Sequence, residues 1–230
     1  MSKRTALIIG ASRGLGLGLA AELAARGWQV VATARDAGSA KLQALAARTQ
    51  GAVEVETVDV DRDDTIAALA SRVAARRFDL LFVNAGISTP GGKSVQDTDR
   101  DALAQVLWTN AIGPLRIAQQ LAPRVVDGGT VAFMSSILGS IGENTSGGHD
   151  LYRVSKVALN MLARSFAVTS AAQRRQAVLS LHPGWVRTDM GGPQAPVGIE
   201  DSVRGLADVL EAKQQPGHRF VEYTGRQIAW

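Results

Sequence analysis

The chain has 230 residues, 46% hydrophobic and 20% charged, with 24 glycines, which suits one globular domain spanning 1–230 and excludes a disordered chain. The absence of cysteine rules out disulfides and thiolate metal sites, and no metal is expected; the net charge of +4 is scattered apart from Arg76-Arg77 and Arg174-Arg175, whereas nucleic-acid binding wants a clustered stripe. No apolar run is long enough for a secretory core or a membrane span, so a soluble cytoplasmic protein is expected, with neither membrane nor nucleic acid as partner.

Strand and helix patterns alternate along the chain. A first apolar strand ends at Ile9, and a helical pattern follows over 15–25. Residues 28–34 read as a second strand, 39–47 as a helix and 52–58 as a third strand. Residues 63–75 are again helical, and 78–83 form a buried strand. A long helical region runs from Asp97 past Leu121 with Pro114 inside it. A strand at 130–134, a helix at about 151–172, a strand at 177–181, a helix near 200–211 and a strand at 219–223 follow. Continuous apolar strands alternating with helices imply a parallel sheet covered on both faces. The expected fold is therefore α/β, a single-domain doubly wound Rossmann fold of about seven parallel strands with helices on both faces. In such a sheet ligands sit outside the C-terminal ends of the strands, so the residues just after each strand should carry the chemistry.

The first of these stretches organises the rest. Leu7-Ile8-Ile9 runs into Gly10-Ala11-Ser12-Arg13-Gly14-Leu15-Gly16, and a helix begins at once. Gly10 permits a tight turn, while Gly14 and Gly16 remove side chains where backbone and helix must approach a pyrophosphate. Free N–H groups and partial positive charge at the helix start then receive anionic phosphates. The spacing Gly-x-x-x-Gly-x-Gly, with the motifs below, resembles the short-chain dehydrogenase/reductase family over nearly the whole chain. That family usually carries Thr before the first glycine; Ile9 stands there, removing a turn hydrogen bond and leaving the loop intact.

The resemblance implies a nicotinamide dinucleotide on Gly10, Ser12, Arg13, Gly14, Leu15 and Gly16. An acid at the end of the second strand would bind the adenosine ribose of NAD, but Ala34 occupies that place and Arg35 follows. Arg35 with Arg13 favours NADP (NADPH) through its 2′-phosphate, while Asp36 keeps NAD as the less favoured cofactor. Asp59-Val60 resembles the adenine-binding pair, although a carboxylate here can also serve a helix start, as can Asp61. Asn84-Ala85-Gly86 matches the Asn-Ala-Gly motif, where Asn84 ties neighbouring strands and small residues pass the cofactor ribose. Pro183, Gly184, Val186 and Thr188 match the Pro-Gly-x-x-x-Thr segment, with Thr188 on the nicotinamide carboxamide. His182, where relatives often carry Asn, is expected to be structural.

Tyr152-Arg153-Val154-Ser155-Lys156 places Lys156 one helical turn from Tyr152, on the same face. A free phenol has a pKa of about 10. An ammonium about 4 Å away could stabilise the phenolate by up to ~4 kcal/mol at an effective dielectric of 20, bringing it towards working pH. By the resemblance the catalytic set is Ser136, Tyr152, Lys156 and Asn110. Ser136, in Ser-x-x-Gly, would hold the substrate oxygen, with Ser135 as the alternative if the strand ends one residue early. Asn110 would break its helix locally and hold a relay water; Asn is a weak helix former. Tyr152 and Lys156 would also contact the cofactor.

The activity implied is NADPH-dependent reduction of small or medium aldehydes and ketones, reversible in principle, with Tyr152 moving the proton. Gly139-Ser140-Ile141, Asn144-Thr145-Ser146-Gly147-Gly148, Tyr152–Asn160 and Leu181–Gly192 are similar to a narrower branch, the sniffer-like and C-factor-like carbonyl reductases. The rival readings are a nucleotide-binding signalling protein with incidental turnover and an NAD-dependent alcohol dehydrogenase. Between Thr188 and the last helix, glycines and prolines predict a mobile loop and no extra helix. Ser136 stands sixteen residues before Tyr152, where the family commonly has thirteen, which adds a polar rim over 141–151. Substrate would meet Ser136, Tyr152, Trp185 and Met190. Apolar helices around Val106-Leu107-Trp108 and 159–166 suggest a homodimer or homotetramer.

Overall fold

A computed structural model describes residues 3–88 and 94–230. In chain order the elements are β1 (Thr5–Ile9), α1 (Gly14–Ala25), β2 (Gln29–Ala34), α2 (Ala40–Arg48), β3 (Val53–Thr57), α3 (Asp63–Arg72) and β4 (Phe78–Val83). There follow α4 (Arg100–Leu107), α5 (Gly113–Leu121), β5 (Val125–Met134), α6 (Asp150–Phe166), β6 (Ala177–His182), α7 (Ile199–Glu211) and β7 (Gly217–Glu222). All seven strands lie in one sheet of order β3-β2-β1-β4-β5-β6-β7, and every pair is parallel. No described helix is long and apolar enough to cross a membrane.

Successive strand side chains point to opposite faces, and both faces here are apolar. Leu7 and Ile9 of β1, Leu81 and Val83 of β4, and Val131 and Phe133 of β5 pack with α3, α5 and α6. The alternate residues Ala6, Ile8, Leu80, Phe82, Ala132 and Met134 pack with α1, α2 and α7. This is why the central strands read as unbroken apolar runs rather than as an alternation.

Three elements differ from the sequence expectation. β5 begins at Val125, five residues before the expected Thr130, and its pairing with β4 shifts register between Phe78 and Leu80. Asp127-Gly128-Gly129 is an irregularity within the strand, with Gly128 at φ 75. The long helix after Asp97 splits: Asp99 caps α4 by accepting from the Ala102 amide, and a π-helical turn at Trp108–Ile112 separates α4 from α5. Pro114 sits in the first turn of α5, where a missing N–H is tolerated. Finally α6 ends at Phe166 and continues as a π turn, Ala167–Ala171.

The strand order reverses between β1 and β4. A crevice therefore opens outside their C-terminal ends, where chain leaves the sheet in opposite directions.

Candidate active site

The glycine turn occupies that crevice. Gly10 has φ 88, and a Cβ on it would lie 2.9 Å from the Ala85 backbone. A Cβ on Gly16 would lie 2.1 Å from the Gly10 carbonyl oxygen and 2.7 Å from Asn84 Nδ2. Asn84 Nδ2 donates to that same carbonyl at 2.7 Å, so β1 and β4 are tied across the crevice as the sequence predicts. The hydrogen bond lost by having Ile9 in place of Thr is replaced from β2: Thr33 Oγ1 accepts from the Gly10 amide at 3.1 Å, and the Thr33 carbonyl accepts from Ala11 at 2.7 Å. Helix α1 starts with no side-chain cap and no acid in its first turn, which leaves its N–H groups and dipole to an anion. Ser12 lies in the turn and Leu15 in the first helical turn.

A cleft of about 460 Å³ adjoins this turn, lined by Arg13, Gly14, Lys41, Arg187, Thr188, Asp189 and neighbours. Such a set of backbone donors and cations fits a dinucleotide phosphate. Arg13 Nη1 pairs with Asp189 at 2.5 Å, joining the glycine turn to the loop after β6. Arg35 is exposed beyond β2 and does not line this cleft, whereas Lys41, which sequence reasoning passed over, does. Asp36 Oδ1 accepts from the Gly38 amide at 2.8 Å, closing a local turn. Asp59 Oδ1 accepts from the Asp61 amide, and Val60 is buried under the π turn, where a Cβ on Gly113 would lie 2.5 Å from the Val60 carbonyl oxygen. Asp61 caps no helix; its Oδ2 accepts from Thr109 Oγ1 at 2.8 Å.

The loop after β6 contains no helix and is stitched down. Arg187 N and Val197 N exchange bonds with Val197 O and Trp185 O, and Arg187 Nη1 donates to the Ala195 and Pro196 carbonyls. Gly184 has φ 85 with the Tyr223 ring 3.0 Å from where a Cβ would stand, the Pro183 carbonyl accepts from Ser202 Oγ, and Val186 is buried. Thr188 Cγ2 lies 3.8 Å from the Cβ position of Gly14. Trp185 and Met190 are exposed.

The ends of β5 and α6 meet at Lys156. Its Nζ donates to the Met134 carbonyl at 2.9 Å and stands 5.5 Å from the Tyr152 ring centroid. Gly139 makes this approach possible, since a Cβ there would fall 2.9 Å from Lys156 Cβ. That contact is the physical reason for glycine three residues after Ser136. Ser135 is buried and donates to Asn160 Oδ1 at 2.8 Å, so its hydroxyl is committed. Ser136 Oγ accepts from the Leu138 amide at 3.2 Å and retains its proton. The Tyr152 hydroxyl, on a half-buried ring, makes no hydrogen bond to any described residue.

The electrostatics differ from the sequence expectation. Burial pushes the Tyr152 phenol up to about 12 and pulls the Lys156 ammonium down to about 8. The ammonium is engaged by a carbonyl and lies over the ring, so desolvation outweighs attraction to a phenolate. Asn110, in the π turn, is fully buried: Oδ1 accepts from Ile87 N at 2.8 Å, and Nδ2 donates to Ile87 O at 2.9 Å and Ser155 Oγ at 3.0 Å. Gly86 nestles against both groups, its Cβ position 3.2 Å from Asn110 Oδ1 and 3.6 Å from Lys156 Nζ. His182 is buried, and desolvation pulls its imidazole down to about 4, keeping it neutral.

A family model described as enoyl-(acyl carrier protein) reductase matches residues 10–213, which includes every motif above. The chain belongs to the short-chain dehydrogenase/reductase family, a family of oxidoreductases. Its relatives include the C-signal protein of Myxococcus xanthus, 40% identical over 167 residues, or 71% of this chain and 99% of that one. A short-chain dehydrogenase/reductase from Burkholderia multivorans, solved with NADP bound, superposes with a TM-score of 0.95 at 43% identity over 100% of both chains. A carbonyl reductase from Pseudomonas aeruginosa PAO1 in complex with NADP superposes at 0.89 with 43% identity, again over 100% of both chains.

Sequence reasoning missed Thr33, Lys41, Arg153, Ser155 and Asn160. A polar residue inside the apolar run Val30–Ala34 was the available signal for Thr33, and membership of the Tyr152–Asn160 stretch was the signal for Arg153, Ser155 and Asn160; Lys41 looks like an ordinary helix-surface residue.

Proposed function

We propose that this chain is an NADPH-dependent carbonyl reductase acting on small or medium aldehydes and ketones, with Tyr152 as proton donor. The observation that supports the reading is the position of Lys156, whose Nζ reaches the Met134 carbonyl at the end of β5, two residues before Ser136, and stands 5.5 Å from the Tyr152 ring centroid. When bound, NADPH supplies a hydride to the carbonyl carbon from its nicotinamide ring. Ser136 donates its hydroxyl proton in a hydrogen bond to the substrate oxygen and orients it. Tyr152 transfers its phenolic proton to that oxygen; a phenol held protonated up to about pH 12 suits the reducing direction. The Lys156 ammonium, charged below about pH 8, stabilises the phenolate left behind. Asn110 holds the Ile87 loop against α6. Arg13 and Lys41, with Arg35 outside the cleft, offer cations to the 2′-phosphate, and the Asp36 carboxylate is already used by Gly38. The NADP seen in the two similar structures supports the same cofactor. Trp185 and Met190, 56% and 51% exposed, supply apolar walls to an open cleft.

A panel of aldehydes and ketones assayed with NADPH and NADH tests the reading. Tyr152→Phe should lower kcat by about 10²–10⁴-fold while NADPH still binds, since general acids contribute that much. A variant keeping more than about a tenth of wild-type kcat removes Tyr152 from the role, and a wild type inactive on the whole panel returns the chain to a nucleotide-binding regulator. Equal use of both cofactors would remove the 2′-phosphate assignment. The reading includes a homodimer or homotetramer. Val154, Met161 and Val168, spaced seven residues apart along α6 and its π continuation, are 48%, 65% and 57% exposed, an apolar stripe for a second copy. Light scattering showing a monomer would overturn it.

A further inference from the structure

Residues 141–149 are the rim created by the long spacing between Ser136 and Tyr152, and every one of them is exposed. The segment leaves the turn Ile137–Gly139 and enters α6, so both of its ends adjoin site residues. Its start is tied to the last residues of the chain: Ser140 Oγ donates to Ala229 O at 2.7 Å and Gly142 N to Trp230 O at 2.9 Å.

Its other end is held differently. Gly147, Gly148 and His149 are consecutive residues with left-handed φ values of 63, 71 and 56. A Cβ on either glycine would meet nothing within 4 Å, so backbone conformation and not space calls for glycine here. The carbonyls of this run are gathered by Arg153, in the first turn of α6. Its Nε donates to Gly148 O at 2.8 Å, and its Nη2 donates to Gly147 O at 3.1 Å and to Ser146 Oγ at 3.3 Å. Arg153 is only 9% exposed, and none of these acceptors is a carboxylate. Buried guanidinium groups are usually paired with acids; this one is spent on the loop. Only a planar fork reaches several acceptors in this way, which a lysine cannot copy.

We propose that Arg153 is a specificity-determining residue: it clamps 146–149 against α6 and thereby sets the width of the substrate cleft. The inference rests on the carbonyl-reductase reading. Tyr152, its neighbour, is held independently, because Ser155 Oγ donates to Tyr152 O at 2.7 Å and accepts from Asn110 Nδ2. Releasing the clamp lets an exposed, glycine-rich loop fall across the cleft, which obstructs bulky substrates and spares small ones.

The experiment compares wild type, Arg153→Lys, Arg153→Met and the milder Ser146→Ala. It measures NADPH Kd, and kcat and KM for a short aliphatic aldehyde and a two-ring aryl aldehyde. In both Arg153 variants NADPH Kd and kcat for the short aldehyde should stay within about threefold, while KM for the two-ring aldehyde rises about tenfold or more. Lysine should not rescue, and Ser146→Ala should shift selectivity less, in the same direction. Amide exchange over 144–149 should quicken while β5 and β6 keep their protection. Equal fractional losses on both aldehydes, rescue by lysine, or faster exchange with unchanged selectivity would each overturn the proposal. A wild-type chain that reduces neither aldehyde overturns the reductase reading itself, and the specificity role falls with it whatever the exchange rates show.

Discussion

The glycine turn after β1 and the rim between β5 and α6 are held by opposite means. At the turn, backbone lies on backbone: a Cβ on Gly16 would be 2.1 Å from a carbonyl oxygen, and the contacts come from buried strand ends. At the rim the chain is exposed, and its conformation is set by a few hydrogen bonds from Arg153, Asn144 and the final residues. The difference teaches where variation is tolerated. The glycine turn cannot accept a methyl group without moving backbone, whereas the exposed rim, outside its left-handed Gly147-Gly148-His149 run, has room for other side chains.

The largest effect should come from Gly16→Ala. The added methyl clashes with the Gly10 carbonyl and with Asn84 Nδ2, so NADPH affinity should fall by about 100-fold or more, about 2.7 kcal/mol, read by titration calorimetry. Affinity within threefold of wild type would show that the turn yields, and the contrast with the rim would collapse.

Lys156→Met sharpens the comparison at the seam between the regions. The folded-state pKa of Lys156, about 8, lies below its ordinary 10.5, so the protonated form burdens the folded state. That burden is fully present below pH 8 and is relieved as pH rises from 8 to 10.5, because the unfolded chain then binds more protons. The variant should lose turnover yet gain up to about 3 kcal/mol of stability at pH 7, less the orphaned Met134 carbonyl, with the gain fading towards pH 10. A gain that grows with pH would show that the ammonium is not desolvated.

The smallest effect should be Asn144→Ala. Asn144 Oδ1 accepts from the exposed Gly147 amide at 3.1 Å, and its loss should change stability by less than about 0.5 kcal/mol, a Tm shift of about 1–2 °C. A drop of several degrees would mark the rim as part of the cooperative core.

Much of this was legible in the residues. The glycine turn, Asn84, and the Tyr152 and Lys156 pair are local patterns, because a strand end or a single helical face brings their members together. The break at Asn110 was legible too, although its form as a π turn against Val60 was not. Other features depend on chain far away in sequence. Thr33 restores the turn hydrogen bond from a neighbouring strand, and Lys41 reaches the cleft from the second residue of α2. The irregular start of β5 hides behind Asp127-Gly128-Gly129, because turn-forming residues can also sit in a bulged strand.

By itself the sequence determined the alternation of strands and helices and the parallel sheet, since periodicity is a property of local chain, while the catalytic candidates came from its resemblance to a family. Only the tertiary structure decided which hydroxyl is free, Ser136 and not Ser135, for that depends on Asn160 of α6. It also decided the charge state of the pair. Spacing alone predicts that Lys156 lowers the Tyr152 pKa, but burial raises it, and the cost of desolvating a charge is set by everything packed around it.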